Sequence, residues 1–158
     1  MEQHAEKAQL FVERVRAFLV RAREWCTERD LTVQDNVVEL NEQGMPKYHA
    51  PSLHISKDGV SLAKIEPLGA AIIGAQGRID LIGPVARHAF LFHVGKGPGI
   101  SIRAIVNGQA TSETSRPMLS GIDGDDWYWI EAKVRRAKRV DESLFLDLLT
   151  DVSDYEFH

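Results

Sequence analysis

Lys57-Asp58-Gly59 separates two runs that alternate apolar and polar side chains, Ser52–Ser56 and Val60–Pro67. An Asp-Gly pair between alternating runs supplies the two positive-φ positions of a tight hairpin turn, so these segments are expected to be antiparallel neighbours. The idea recurs downstream. An apolar run over 69–73 is followed by Gly74-Ala75-Gln76-Gly77 and then the alternating Arg78–Ile82. "RHAFLFHV" and "ISIRAIV" follow, bounded by Gly83-Pro84 and by Gly95, Gly97, Pro98 and Gly99. Short strands joined by turns of this kind form an antiparallel meander.

The flanks have a different period. Ala8, Phe11, Val12, Val15, Phe18, Leu19, Ala22, Trp25 and Cys26 recur at spacings of three and four, which predicts a helix over residues 5–28 with one buried stripe. "DESLFLDLLTDVSDYEF" predicts a second helix over 142–153, with Asp141 or Ser143 as N-cap and Leu144, Phe145, Leu148, Leu149 and Val152 as its apolar stripe. "LTVQDNVVEL" has strand character. Residues 107–126 are polar, small and Gly-rich and read as a long surface loop or a flexible excursion in the sheet, and "WYWIEAKV" reads as a strand over 127–134.

Together these readings give one α+β domain over residues 1–158. An N-terminal helix precedes strands filling most of 31–106, in a twisted antiparallel sheet of about five to seven strands, and a C-terminal helix packs beside the first on one face. The expected core contains Phe11, Val15, Phe18, Leu53, Ile55, Leu62, Ile65, Ile79, Leu81, Phe90, Phe92, Phe145, Leu148 and Leu149.

Charge narrows the function classes. Lys+Arg 19 against Asp+Glu 23 leaves a formal net charge of -4, so no global field draws the chain to phosphate backbones or anionic lipid, and a nucleic-acid site would have to be local. The N-terminal segment breaks each apolar pair with a charge and is read as unprocessed, with no signal-peptide core and no membrane association. Cys26 is the only cysteine, which rules out an internal disulfide and fits a reducing, cytoplasmic compartment. Its place on the apolar stripe makes it a packing residue.

Three groups of residues could carry chemistry. Asp80 ends one expected strand, and Glu131-Ala132-Lys133 lies on another, where alternation would set Glu131 and Lys133 on one face. Two carboxylates can hold Mg²⁺ or Mn²⁺ while a lysine assists the attacking water. This pattern resembles the core of the PD-(D/E)xK nucleases, in which an acidic residue precedes a Glu-x-Lys strand; the resemblance implies a metal-dependent nuclease using Asp80, Glu131 and Lys133. The same charged pair is also what a solvated sheet edge carries.

Trp127 and Trp129 share a face and would be recognition rings if that face were open, or core if the helices covered it. Beside them, Lys133, Arg135, Arg136, Lys138 and Arg139 form a basic run that could contact phosphates or an acidic partner, or could be neutralised by the acidic C-terminal helix. The histidines include no pair at metal-ligand spacing, and there is no Gly-x-Ser-x-Gly elbow, dinucleotide fingerprint or P-loop. No cofactor or resident metal is expected.

The leading expectation is therefore a small cytoplasmic, bacterial-type interaction domain without catalysis, of the immunity, antitoxin-like or accessory kind. Its partner would be another protein or a second copy, with Trp127, Trp129, Lys133, Arg135, Arg136, Lys138 and Arg139 as the contact surface. The alternatives are the nuclease and a nucleic-acid-binding module built on the run 133–139.

Overall fold

The structure, a computed structural model, describes residues 2–106 and 109–157. Helix α1 (Glu2–Thr27) leads into β1 (Thr32–Leu40), β2 (Tyr48–Lys57), β3 (Val60–Gly69), β4 (Arg78–Ile82) and β5 (Arg87–His93). Then come β6 (Gly99–Val106), β7 (Gln109–Pro117), β8 (Asp126–Glu131), β9 (Arg136–Arg139) and helix α2 (Glu142–Ser153). Seven strands form one antiparallel sheet in the order β1-β2-β3-β4-β5-β8-β9, while β6 and β7, among the described residues, pair only with each other. The α+β architecture with a helix at each end is the one the periodicities predict, and every residue of the expected core is buried.

Local chemistry accounts for the element boundaries. Asp58 (φ 51°) and Gly59 (φ 81°) both take positive φ in the β2–β3 turn, as the Asp-Gly pair requires. Pro51 sits inside β2, yet β3 pairs with β2 only from Leu53 onward, so the missing N–H falls where only β1 lies alongside. Asp141 caps α2 by accepting a 2.9 Å hydrogen bond from Leu144 N, and Asp154 closes it in the left-handed region at φ 60°.

Both helices cover one face of the sheet. α1 packs on β1 and β2, and α2 packs on β3, β4 and β5. Phe18 of α1 is the centre of the interface, with Phe90, Trp25, Trp127 and Phe145 arranged edge to face around it at centroid distances of 5.8, 6.0, 6.2 and 6.4 Å. Such pairs add to the area that aromatic burial already removes from water. The opposite face is largely polar, with His54, Lys64, Glu66, Arg78 and Asp80 brought alongside one another by register. A small second core of Ile122, Tyr128 and Ala137 forms under the segment preceding β8.

Two expectations need correction. Residues 109–117, read as loop, form β7, and "ISIRAIV" forms its partner β6 instead of extending the main sheet. Residues 107 and 108 of that stretch lie outside the described residues. A strand packed on a core announces itself by apolar alternation, and a two-stranded ribbon outside the sheet does not need that pattern. The predicted strand 127–134 is also shorter: β8 stops at Glu131, Ala132–Val134 make a 3₁₀ turn, and Arg135 turns back at φ 51° into β9.

His93, at the end of β5, is 1% exposed, and neither ring nitrogen has a hydrogen-bond partner among the described residues. Burial lowers its pKa from the ordinary histidine value near 6.5. The unfolded chain therefore takes up a proton at a higher pH than the folded one. Stability should be full above about pH 6.5 and fall as acid is added below it, by at most about 1.4 kcal/mol per pH unit for this group. Substitution His93→Leu should remove that increment from a series of denaturation curves between pH 7.5 and 5. Equal acid sensitivity in the two proteins would contradict the assignment.

Candidate interaction surface at the β8–β9 hairpin

The residues singled out by the sequence occupy three unlike environments. Asp80 is fully buried at the middle of β4, where Arg78 grips it with both arms of the guanidinium fork, Nε to Oδ1 at 2.8 Å and Nη2 to Oδ2 at 3.1 Å. Arg87 adds contacts to Oδ2 from Nε at 2.8 Å and Nη2 at 2.6 Å. Its own hydrogen bonds to Asp80 raise the Arg78 pKa above its ordinary value. Two arginines thus occupy the lone pairs that a metal would need.

Register separates Asp80 from the rest of the expected triad. Asp80 pairs with Ala89, two residues from Leu91, which pairs with Tyr128. Paired residues share a face, and Glu131 is three positions from Tyr128, so Glu131 projects from the opposite side of the sheet. Lys133 lies in the 3₁₀ turn and does not continue the face of Glu131, whose carboxylate accepts from Lys138 at 3.3 Å. The structure does not bring Asp80, Glu131 and Lys133 together. Among the described residues, no group of three or more His, Cys, Asp or Glu side chains is placed to hold a metal ion.

The tryptophans belong to the helix side. Trp127 is 2% exposed, sits against Phe11, Phe18 and Phe92, and donates from Nε1 to Arg14 O of α1 at 3.2 Å. Trp129 is half-buried and donates to His88 Nδ1 at 3.2 Å, while His88 Nε2 lies 2.5 Å from Asp151 of α2. That chain makes Nε2–H the tautomer of His88 and ties α2 to β5 and β8. Neither indole presents an unpartnered N–H.

The basic run divides in two. Lys138 pairs with Glu131, and Arg139 pairs with Asp126 at 3.2 Å, donates to the Asp123 carbonyl and lies 5.7 Å from the Tyr128 ring centroid. Internal neutralisation occurs, but its partners come from β8 and the segment before it, not from the C-terminal helix: Asp141 caps α2 and Asp151 meets His88. Lys133, Arg135 and Arg136 are exposed and make no ion pair among the described residues, and Val134 between them is 56% exposed.

This cationic tip is held in shape by the chain that passes beneath it. Ser120 N donates to Arg135 O at 3.2 Å, and Ala137 N donates to Ser120 O at 2.7 Å. The approach is so close that a Cβ on Gly121, at φ 91°, would collide with the Ala137 carbonyl. Three like charges on a braced turn can attract an anionic surface over a Debye length, about 8 Å at physiological ionic strength, while the exposed valine adds apolar contact at closest approach.

Nucleophilic chemistry has no support at Cys26, where burial pushes the thiol up to about 12 and keeps it protonated. No helix among the described residues is long and apolar enough to cross a membrane. No family model matches the chain, no curated protein matches it, and no solved structure matches it.

Proposed function

We propose that the protein is a non-catalytic interaction domain that docks an acidic protein surface against the β8–β9 turn through Lys133, Arg135 and Arg136. The observation that carries this reading is the absence of any internal ion pair at these cations among the described residues, beside two neighbours in the same run that are paired. Charges left free on a rigid turn are available to a partner without first breaking an internal contact. A cytoplasmic setting, in which Cys26 stays reduced, and an accessory role of the immunity or antitoxin-like kind agree with this reading. The nucleic-acid alternative is less well supported, since among the described residues Trp127 is in the core and Trp129 is half-buried against His88.

The test compares the wild type with Lys133→Glu/Arg135→Glu/Arg136→Glu in affinity capture from nuclease-treated native lysate. An acidic protein should be retained by the wild type at 50 mM salt, released as salt rises, and absent from the triple variant. Equal recovery by both proteins would sink the proposal. Retention from untreated lysate that nuclease treatment abolishes would transfer the surface to nucleic acid.

A further inference from the structure

The two edges of the sheet differ in how they end. β9 is four residues long, and Ser120 bridges to Arg136 along it. β1 is nine residues long, and no strand among the described residues pairs with its outer edge. A strand of that length extends about 30 Å and presents a row of unpaired N–H and C=O groups, the usual template for a further strand. Little protects this edge: Thr32–Leu40 contains no Lys or Pro, its register with β2 is unbroken, and its two charges, Asp35 and Glu39, are each already met by a cation of the same chain, Arg23 and Lys47. Alongside runs a groove of about 230 Å³ between α1 and β1, lined by Leu19, Val20, Val37 and Pro51 and flanked by Arg16 and Arg23. Val20 is 54% exposed and Val37 69% exposed.

We propose that β1 pairs antiparallel with β1 of a second copy across a two-fold axis at Asn36, joining the two seven-stranded sheets edge to edge. Charge selects both the occupant and the register. With Asn36 opposite itself, all nine residues pair, Asp35 faces Val37, and Glu39 faces Val33, so no carboxylate opposes another. Moving the axis to Asp35 sets that residue against itself, and moving it to Val37 sets Asp35 against Glu39. Like charges directly opposite destabilise a strand pair, so the neighbouring registers are disfavoured.

Asp35 lies on the helix side of β1, as its register partner Leu53 and its ion pair with Arg23 both show. Val37 shares that side. In the pairing each Val37 therefore settles beside Asp35 of the second copy, covering the aliphatic patch that the isolated chain leaves in water. This association uses the edge opposite the cationic turn, so it extends the proposed function without depending on it.

Sedimentation equilibrium and disulfide trapping test the proposal together. At roughly 100 µM the wild type should sediment at twice the 17.7 kDa chain mass, and Asn36→Asp, which places two carboxylates on the axis, should raise the dissociation constant at least about tenfold. Directly opposed residues in an antiparallel pair have Cα atoms about 4.5–5.5 Å apart, within reach of a disulfide. Asn36→Cys should therefore give a covalent, reductant-sensitive dimer on mild oxidation. Gln34→Cys should not, because residue 34 faces residue 38 and its own copy lies about 13 Å away. The native thiol, Cys26, is fully buried. A monomeric wild type at that concentration, or a dimer that Asn36→Cys fails to link, would overturn the proposal, and the cysteine result stands even if Asn36→Asp unfolds. The triple charge reversal at residues 133, 135 and 136 should leave the dimer intact, which separates a failure here from a failure of the docking surface.

Discussion

Phe18→Ala should destabilise the protein by about 4 kcal/mol, the largest loss expected from a single truncation in this fold. Phe18 is 1% exposed and meets four aromatic rings contributed by α1, β5, β8 and α2. Its removal leaves a cavity that cannot be closed by moving one element, because each wall belongs to a different one. Phe18→Leu keeps much of the volume while losing the edge-to-face geometry, and should cost about 1–1.5 kcal/mol. Equilibrium unfolding in urea would measure both. A Phe18→Ala loss below about 1.5 kcal/mol would show that the helices can repack on the sheet.

Arg78→Met/Arg87→Met should cost about 3–5 kcal/mol, whereas Asp80→Ala should cost only about 1–2 kcal/mol. The asymmetry follows from exposure. The Asp80 side chain has no access to water, so without its arginines it is left as an uncompensated buried charge. The side chains of Arg78 and Arg87 are 37% and 53% exposed, so without Asp80 their guanidinium groups turn to solvent at little cost. Adding Asp80→Leu to the double variant should restore most of the lost stability, since a packed apolar trio leaves no charge behind. If Asp80→Ala proved as damaging as removing both arginines, burial would not be the term that orders these effects.

Local chemistry in the sequence determined much of the build. The three- and four-residue spacing from Ala8 to Cys26 gives α1 its buried stripe, Asp58-Gly59 gives the β2–β3 turn, and Asp141 caps α2. Each is settled within one or two turns of chain, by the period of the backbone or by a residue whose allowed φ suits the turn. Core membership was equally legible, because burial of large apolar side chains follows the same period.

Tertiary structure alone decided the candidate site. The turn at 132–135 carries no Gly, Pro or Asn, and Arg135 takes a left-handed φ beside the hydrogen bonds that Ser120 donates to Arg135 and accepts from Ala137, so nothing in "WYWIEAKV" marks where β8 stops. Whether Asp80 meets Glu131 or Arg78 and Arg87 depends on register across β4, β5 and β8, where a shift of one residue moves a side chain to the other face. The departure of β6 and β7 from the sheet leaves β5 to pair with β8, a contact between segments more than thirty residues apart. Only that pairing order shows which strand is left at the edge, where β1 has no outer partner among the described residues. Periodicity tells a residue which way to face within its own strand; the neighbours it faces are chosen by long-range pairing, which no local pattern encodes.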